Sequence, residues 1–211
     1  MNRTFLKKNV AVSKLLKSCF VDQTIDPSTM LSGDRNAILV AIRISGYGQE
    51  YPVELKCSDC DATYSQTFDL AQLPVRTLEL TPMREHENYF EFILPLTKKV
   101  VGFRFMTGAD EEAMSELTEK QKKLKLQTDS ALVSNLISSI VTLDGVSDRS
   151  RIAQFCRMMP ARDSLALRTY IRDNEPAILF RQDATCTECE YSEEVGVPLG
   201  VSFLWPDAGK R

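Results

Sequence analysis

Four cysteines in two Cys-x-x-Cys pairs, Cys57/Cys60 and Cys186/Cys189, are the residues whose type and spacing carry chemistry. Two thiolates three positions apart can grip one soft metal ion from a single turn, and a second such turn completes a tetrahedral four-cysteine site. Both pairs also lead into the same downstream pattern. Seven residues separate Cys60 from Phe68, and one more separates Phe68 from Leu70; seven likewise separate Cys189 from Val197, and one separates Val197 from Leu199. Each pair therefore reads as a knuckle leading into an alternating strand, and together they read as the halves of one structural zinc site. With all four positions filled by thiolate, such a site leaves no place for a substrate or an activated water. Its role is architectural: residues 61–185 become a long insertion, and the metal ties together segments far apart in the chain.

Other readings of the same cysteines stay open. Asp61 and Glu190 stand where zinc ribbons commonly carry glycine or lysine, and Asp59 and Glu188 make both turns acidic. Iron–sulfur ligation and two independent reduced pairs fit the spacing as well. A dithiol oxidoreductase would need a thiol with a depressed pKa at a helix N-terminus or beside a cation. Acidic turns entering strands are expected to raise a thiol pKa instead. Cys19 and Cys156 lie outside the pairs and are expected to be small buried hydrophobes.

Further catalytic constellations find little support. The single histidine, His86, sits in the charged stretch Met83–Glu87, where an idle exposed side chain is expected rather than a member of a Ser–His–Asp triad. There is no Gly-x-x-x-x-Gly-Lys-Ser/Thr or Gly-x-Gly-x-x-Gly segment to cradle phosphate. No enzymatic activity is expected.

The chain of 211 residues is long enough for one sizeable core, and 43% hydrophobic with 26% charged residues is the balance of an ordinary globular protein. A formal charge of -3 argues against a nucleic-acid partner. No apolar run reaches the roughly 18–20 residues a membrane span needs, so no membrane partner is expected. Residues 1–20 carry Lys7, Lys8, Lys14 and Lys17 without a continuous apolar stretch, so no signal peptide is expected and a reducing cytoplasm is.

Periodicity then supplies the elements that must position the cysteines. Asp34 opens a helix with Ile38, Ala41, Ile42 and Ser45 on one face, stopped by Gly46 and Gly48. Tyr51–Lys56 is a strand into the first knuckle and Thr63–Phe68 a strand out of it. Val75–Leu80 is a further strand candidate. Phe90, Phe92 and Leu94, then Val101, Phe103 and Phe105, alternate about a Lys98–Lys99 turn and predict a hairpin. From Thr107 the period becomes helical. Thr107 and Asp110 form a plausible cap, and Glu116–Lys120 and Glu119–Lys123 are favourable i,i+4 pairs. Val133, Leu136, Ile137 and Ile140 predict a second helix, Ile152 to Met159 a third, and the segment from Asp163 a fourth that stops by Pro176. Beyond the second knuckle the odd positions from Val195 to Trp205 form a strand-like stripe, interrupted by Pro198 and Gly200.

The expected fold is α+β: a β-rich module with two zinc-knuckle halves near the chain ends and an inserted helical block. The expected division is an N-terminal arm over 1–30, the module with the first knuckle over 31–106, the helical block over 107–176, and a last segment over 177–211 that completes the module. Val201, Phe203, Leu204 and Trp205 are candidate partner-binding residues, because aromatic anchors concentrate binding energy. The alternative is a zinc-ribbon nucleic-acid-binding regulator that uses the lysines at 120, 122, 123 and 125.

A set of ordered motifs resembles the baseplate hub assembly proteins of T-even-type contractile-tailed phages. They are Gly33-Asp34-Arg35 with Arg43 and Ser45-Gly46-Tyr47-Gly48, then Cys57-x-x-Cys60, then Phe103 to Thr107-Gly108 before an acidic helix. Met159-Pro160-Ala161-Arg162-Asp163 comes next with Leu167-Arg168-x-Tyr170-Ile171, and Cys186-x-x-Cys189 leads to Val201-Ser202-Phe203-x-Trp205-Pro206. Order and length fit over roughly residues 25–206. The resemblance implies a late viral protein without enzymatic activity. It would help build the baseplate hub in the host cytoplasm by contacting hub and tail proteins, and would either stay in the virion or leave as a chaperone.

Overall fold

The computed structural model describes residues 12–85, 87–124, 131–199 and 201–204. Residues 12–19 are helical (α1), followed by α2 (Ser32–Tyr47), β1 (Glu50–Lys56), β2 (Thr63–Asp69) and β3 (Val75–Arg76). Then come β4 (Phe90–Ile93), β5 (Val100–Phe103), α3 (Gly108–Leu124), α4 (Ala131–Ser139), β6 (Ile140–Leu143), α5 (Arg149–Met158) and α6 (Ala161–Asn174). The chain closes with β7 (Ala177–Ile178), β8 (Arg181–Thr185), β9 (Ser192–Gly196) and α7 (Val201–Leu204). The class is mixed α+β.

Two compact units divide the chain: the first of residues 1–35 and 77–176, the second of residues 36–76 and 177–211. This corrects the expected boundaries. The hairpin of β4 and β5 does not belong with the knuckles, because its aromatic side chains share a core with the helices.

In the first unit β4, β5 and β6 form an antiparallel sheet in that order. Phe90, Phe103 and Phe105 meet at its centre, with ring centroids 4.9 Å apart for Phe90–Phe105 and 5.7 Å for Phe90–Phe103. Leu136, Ile152 and Leu167 from three helices complete this core. Strand β6 replaces the last turn expected of the second helix. Ile140-Val141-Thr142-Leu143 is β-branched at three of its four positions and finds an open edge on β5, so strand wins over helical continuation.

Two polar devices lock this unit. Asp110 accepts from the Thr107 amide (2.9 Å) and hydroxyl (2.8 Å) and holds Arg104 bidentately, which caps α3 much as its sequence predicts. Arg35, at the start of α2, is buried. It pairs with Glu111 at 3.3 Å and its Nη2 donates to the Ser13 hydroxyl at 2.7 Å, while the Ser32 amide donates to the Met106 carbonyl.

The second unit is two antiparallel hairpins, β1–β2 and β8–β9, with the short pair β3–β7. Its core is Val40, Tyr51, Phe68, Leu70, Leu73, Ala184, Val197 and Phe203. The side-chain amide of Gln182 joins the hairpins: its carbonyl accepts from the Asp69 amide at 3.2 Å, and its NH2 donates to the Asp69 carbonyl at 2.5 Å. The buried face of α2 here is Val40, Arg43 and Ile44, whereas Ala41 and Ser45, expected inside, are exposed. The expected face is wrong because an arginine reads as polar in a hydrophobic period, and Arg43 is not on the solvent side. Its guanidinium is buried between the Tyr47 and Tyr51 rings and donates to the Gly48 and Glu50 carbonyls. Gly48, at φ +84, ends the helix as expected.

Candidate metal centre

Each knuckle is the turn of a hairpin, and the two turns are built alike. β1 and β2 pair from Glu50↔Asp69 to Lys56↔Thr63; β8 and β9 pair from Arg181↔Gly196 to Thr185↔Ser192. The Cys57 amide then donates to the Ala62 carbonyl at 2.8 Å, and the Cys186 amide to the Tyr191 carbonyl at 2.9 Å. Those bonds fold Cys57–Cys60 and Cys186–Cys189 back so that both thiols of each pair face the same way.

The four thiols converge. All four Sγ atoms lie within 4.8 Å of one another, with Cys57–Cys189 at 3.6 Å and Cys60–Cys186 at 3.8 Å. In a tetrahedron with zinc–sulfur bonds of about 2.3 Å, sulfurs stand about 3.8 Å apart. The donor set therefore fits a single tetrahedral ion of soft character. A multi-iron cluster would spread its thiolates around a wider core. No disulfide links the cysteines.

Burial and charge are uneven across the centre. Cys57 and Cys186 are buried, Cys189 is half-buried and Cys60 is exposed. The Tyr64 ring packs against Cys57 and Cys186, with Leu55 opposite it on β1 and Cys189 adjoining. The Cys60 amide, opposed by burial and helped by the Asp59 amide and the Cys189 thiol, draws the Cys57 thiol down to about 7. The acidic turns are expected to raise the thiols; at Cys57 the nearby backbone amides win. For Cys189 the Tyr191 amide pulls down, but burial and the three neighbouring thiols together push it up to about 12. Cys57 is thus drawn down while its neighbours push Cys60 and Cys189 up, and a cation among the sulfurs would favour the thiolate form.

Around the centre, the Ser58 hydroxyl donates to Glu193 at 2.7 Å, a bond from the first knuckle to β9. Lys56 pairs with Asp61 at 2.6 Å, but both side chains are largely exposed and the pair adds little. Tyr64 is a member of the centre that sequence reasoning misses. The inward stripe Tyr64 and Phe68, four residues apart on β2, is the signal that would have found it.

The candidate partner-binding residues fare differently. Val201–Leu204 is helical, not a strand, and Pro198, which lacks the donor a ladder needs, interrupts the expected stripe before it. Phe203 is buried, edge-on to Tyr51 with centroids 5.4 Å apart, so it is a core residue and not an exposed anchor. Leu204 packs on the same core. Trp205, the side chain of Val201 and His86 lie outside the described residues. Of the two remaining cysteines, Cys156 is buried as expected, while Cys19 is exposed, which corrects the expectation for it. Among the described residues no helix is long and apolar enough to cross a membrane.

No curated protein and no solved structure matches the chain. A family model does: the one described as T4 bacteriophage base plate protein matches residues 6–205. With nearly the whole chain matched, including both knuckles and every described element, the protein belongs to the T4-type phage baseplate protein family.

Proposed function

We propose that this baseplate protein is a non-enzymatic assembly factor for the hub of a contractile phage tail. It acts in the host cytoplasm during virion assembly through contacts with other hub and tail proteins. The family match over residues 6–205 carries the baseplate part of this reading. The ordered motifs that resemble hub assembly proteins supply the hub. The absence of an open coordination position in a four-thiolate site supports a structural part for the cysteines.

Cys57, Cys60, Cys186 and Cys189 hold one zinc ion in this reading. Bound there, zinc, itself without redox chemistry, supplies a closed cross-link between the two hairpins. The loop that it closes is long, and closing it without a cross-link costs entropy. Binding to such sites contributes on the order of 10 kcal/mol of apparent folding free energy.

The test is to capture a tagged copy from infected cells at moderate salt with nuclease present and identify what co-purifies. Recovery of hub and tail proteins is the expected result. Recovery of RNA polymerase or nucleic-acid-processing proteins alone would overturn it in favour of a nucleic-acid-binding regulator, whose binding would fall steeply with salt.

A further inference from the structure

We propose that the four-cysteine centre is a modification site for hydroperoxides, with Cys60 the sulfur oxidised first and Cys186 the sulfur that resolves it into a disulfide between the two knuckles. The inference rests on the zinc reading for the resting state, and on three features of the centre for the reaction. Cys60 is exposed while Cys57 and Cys186 are buried. Tyr64 and Leu55 cover the side of the centre that holds the buried pair. The Cys186 Sγ lies 3.8 Å from that of Cys60, across the knuckles.

The chemistry balances without any further reagent. The Cys60 thiolate attacks one peroxide oxygen and the O–O bond breaks, leaving a sulfenic acid on Cys60 and releasing water once a proton is taken up. The Cys186 thiolate then attacks the Cys60 sulfur. The S–O bond breaks, hydroxide leaves and is protonated to a second water, and an S–S bond forms. Two thiolates have lost one electron each, and the peroxide has gained two. The sulfurs need to close from 3.8 Å to the disulfide length of about 2.0 Å, a movement within reach of side-chain rotation. A second equivalent of peroxide joins Cys57 to Cys189, which are 3.6 Å apart, by the same steps.

Pairing across the knuckles has a consequence that pairing within them lacks. A disulfide inside one Cys-x-x-Cys would leave the two knuckles without a metal or covalent link once the metal had gone, held only by the Gln182 and Ser58 bonds and the shared core. A Cys60–Cys186 bond keeps them joined, so the clamp passes from metal to covalent form as the protein moves from a reducing cytoplasm to an oxidising exterior.

The experiment uses the full chain isolated without chelator, with its metal content measured first. Hydrogen peroxide is added stoichiometrically, metal release is followed with a chromogenic chelator, and a tryptic digest is mapped without reductant. Cleavage after Lys56, Arg76, Arg181 and Lys210 puts one knuckle in peptide 57–76 and the other in peptide 182–210. The expected result is metal release together with a single cross-linked species of the two peptides. In parallel, substoichiometric maleimide should label Cys60 at least about fivefold faster than Cys57 or Cys186. Separate peptides, each with an internal disulfide, or equal labelling of the thiols, would overturn the proposal. Protein isolated without metal would count against the zinc reading instead, and the peptide map of that protein would still decide the pairing.

Discussion

Asp61 and Glu190 occupy the same place in the two knuckles: each comes directly after its Cys-x-x-Cys, and each has φ 60°. Their positions are the ones where the sequence lacks the glycine common in zinc ribbons, yet the backbone adopts the left-handed conformation that glycine favours. An aspartate tolerates it better than a glutamate, because a short polar side chain can bond locally. Glu190→Gly is therefore expected to stabilise the protein by about 0.5–1 kcal/mol, and Asp61→Gly to be close to neutral. Chemical denaturation of the metal-loaded protein checks both. A loss of stability in Glu190→Gly would mean that the side chain itself holds the turn.

If the four cysteines hold a metal, removing it should act on one unit. The second unit holds both hairpins, and the first has its own aromatic core. After chelation, hydrogen exchange is expected to speed up at the Cys57 and Cys186 amides, which donate within the knuckles. The Leu94 amide, bonded to the Lys99 carbonyl in the β4–β5 hairpin, should keep its protection. Uniform loss of protection, or none, would contradict a metal clamp confined to the knuckles.

Asp163, fully buried in the first turn of α6, accepts from the Leu96 amide at 2.7 Å and the Thr97 amide at 3.0 Å, so it fastens the β4–β5 turn. Burial alone would raise its pKa; the Leu96 and Thr97 amides outweigh burial and hold it below the ordinary carboxylate value. A depressed folded-state pKa gives stability that is present in full above the unfolded value of about 3.9 and lost as pH falls through the folded one. Asp163→Asn is expected to cost about 1.5–3 kcal/mol at neutral pH. Urea melts from pH 7 to pH 3 should show the gap between wild type and variant narrowing only at the acid end. A gap that stays constant with pH would remove Asp163 as its cause.

Gly108 gives Arg35 its place. A Cβ at residue 108 would overlap the Arg35 guanidinium, whose position is fixed by Glu111 and Ser13. Gly108→Ala is expected to destabilise by about 1–3 kcal/mol. Arg35→Ala also destabilises, because it strips Glu111 and Glu112 of their partner, but it removes the overlap. The double variant should be less destabilised than the sum of the two, and strict additivity would show that the two residues do not compete for space.

Phe203 tests the reassignment of the chain's last described helix. Phe203→Ala should cost about 3–5 kcal/mol, as expected for an aromatic side chain removed from a core. A variant of unchanged stability that failed to capture hub proteins would restore Phe203 as a docking residue.

Much of this architecture is legible in one dimension. The two Cys-x-x-Cys turns, the strands that enter and leave the first of them, the β4–β5 hairpin and the cap of α3 come from period, turn chemistry and short-range hydrogen bonds. All are properties of residues a few positions apart. The sequence also implies that Cys57, Cys60, Cys186 and Cys189 act together, because a repeated pattern survives whatever lies between.

Tertiary structure decided what depends on a distant partner. Ile140–Leu143 is a strand only because β5 has a free edge. Arg35 is buried only because the Glu111 carboxylate and the Ser13 hydroxyl, far away in the chain, receive it. Phe203 is core because Tyr51 waits for it, and Cys60 is the open thiol of the centre because Tyr64 and Leu55 cover the other side. Hydrophobic period says which residues seek burial but not against what, and the desolvation of a charge is settled only where its partners arrive.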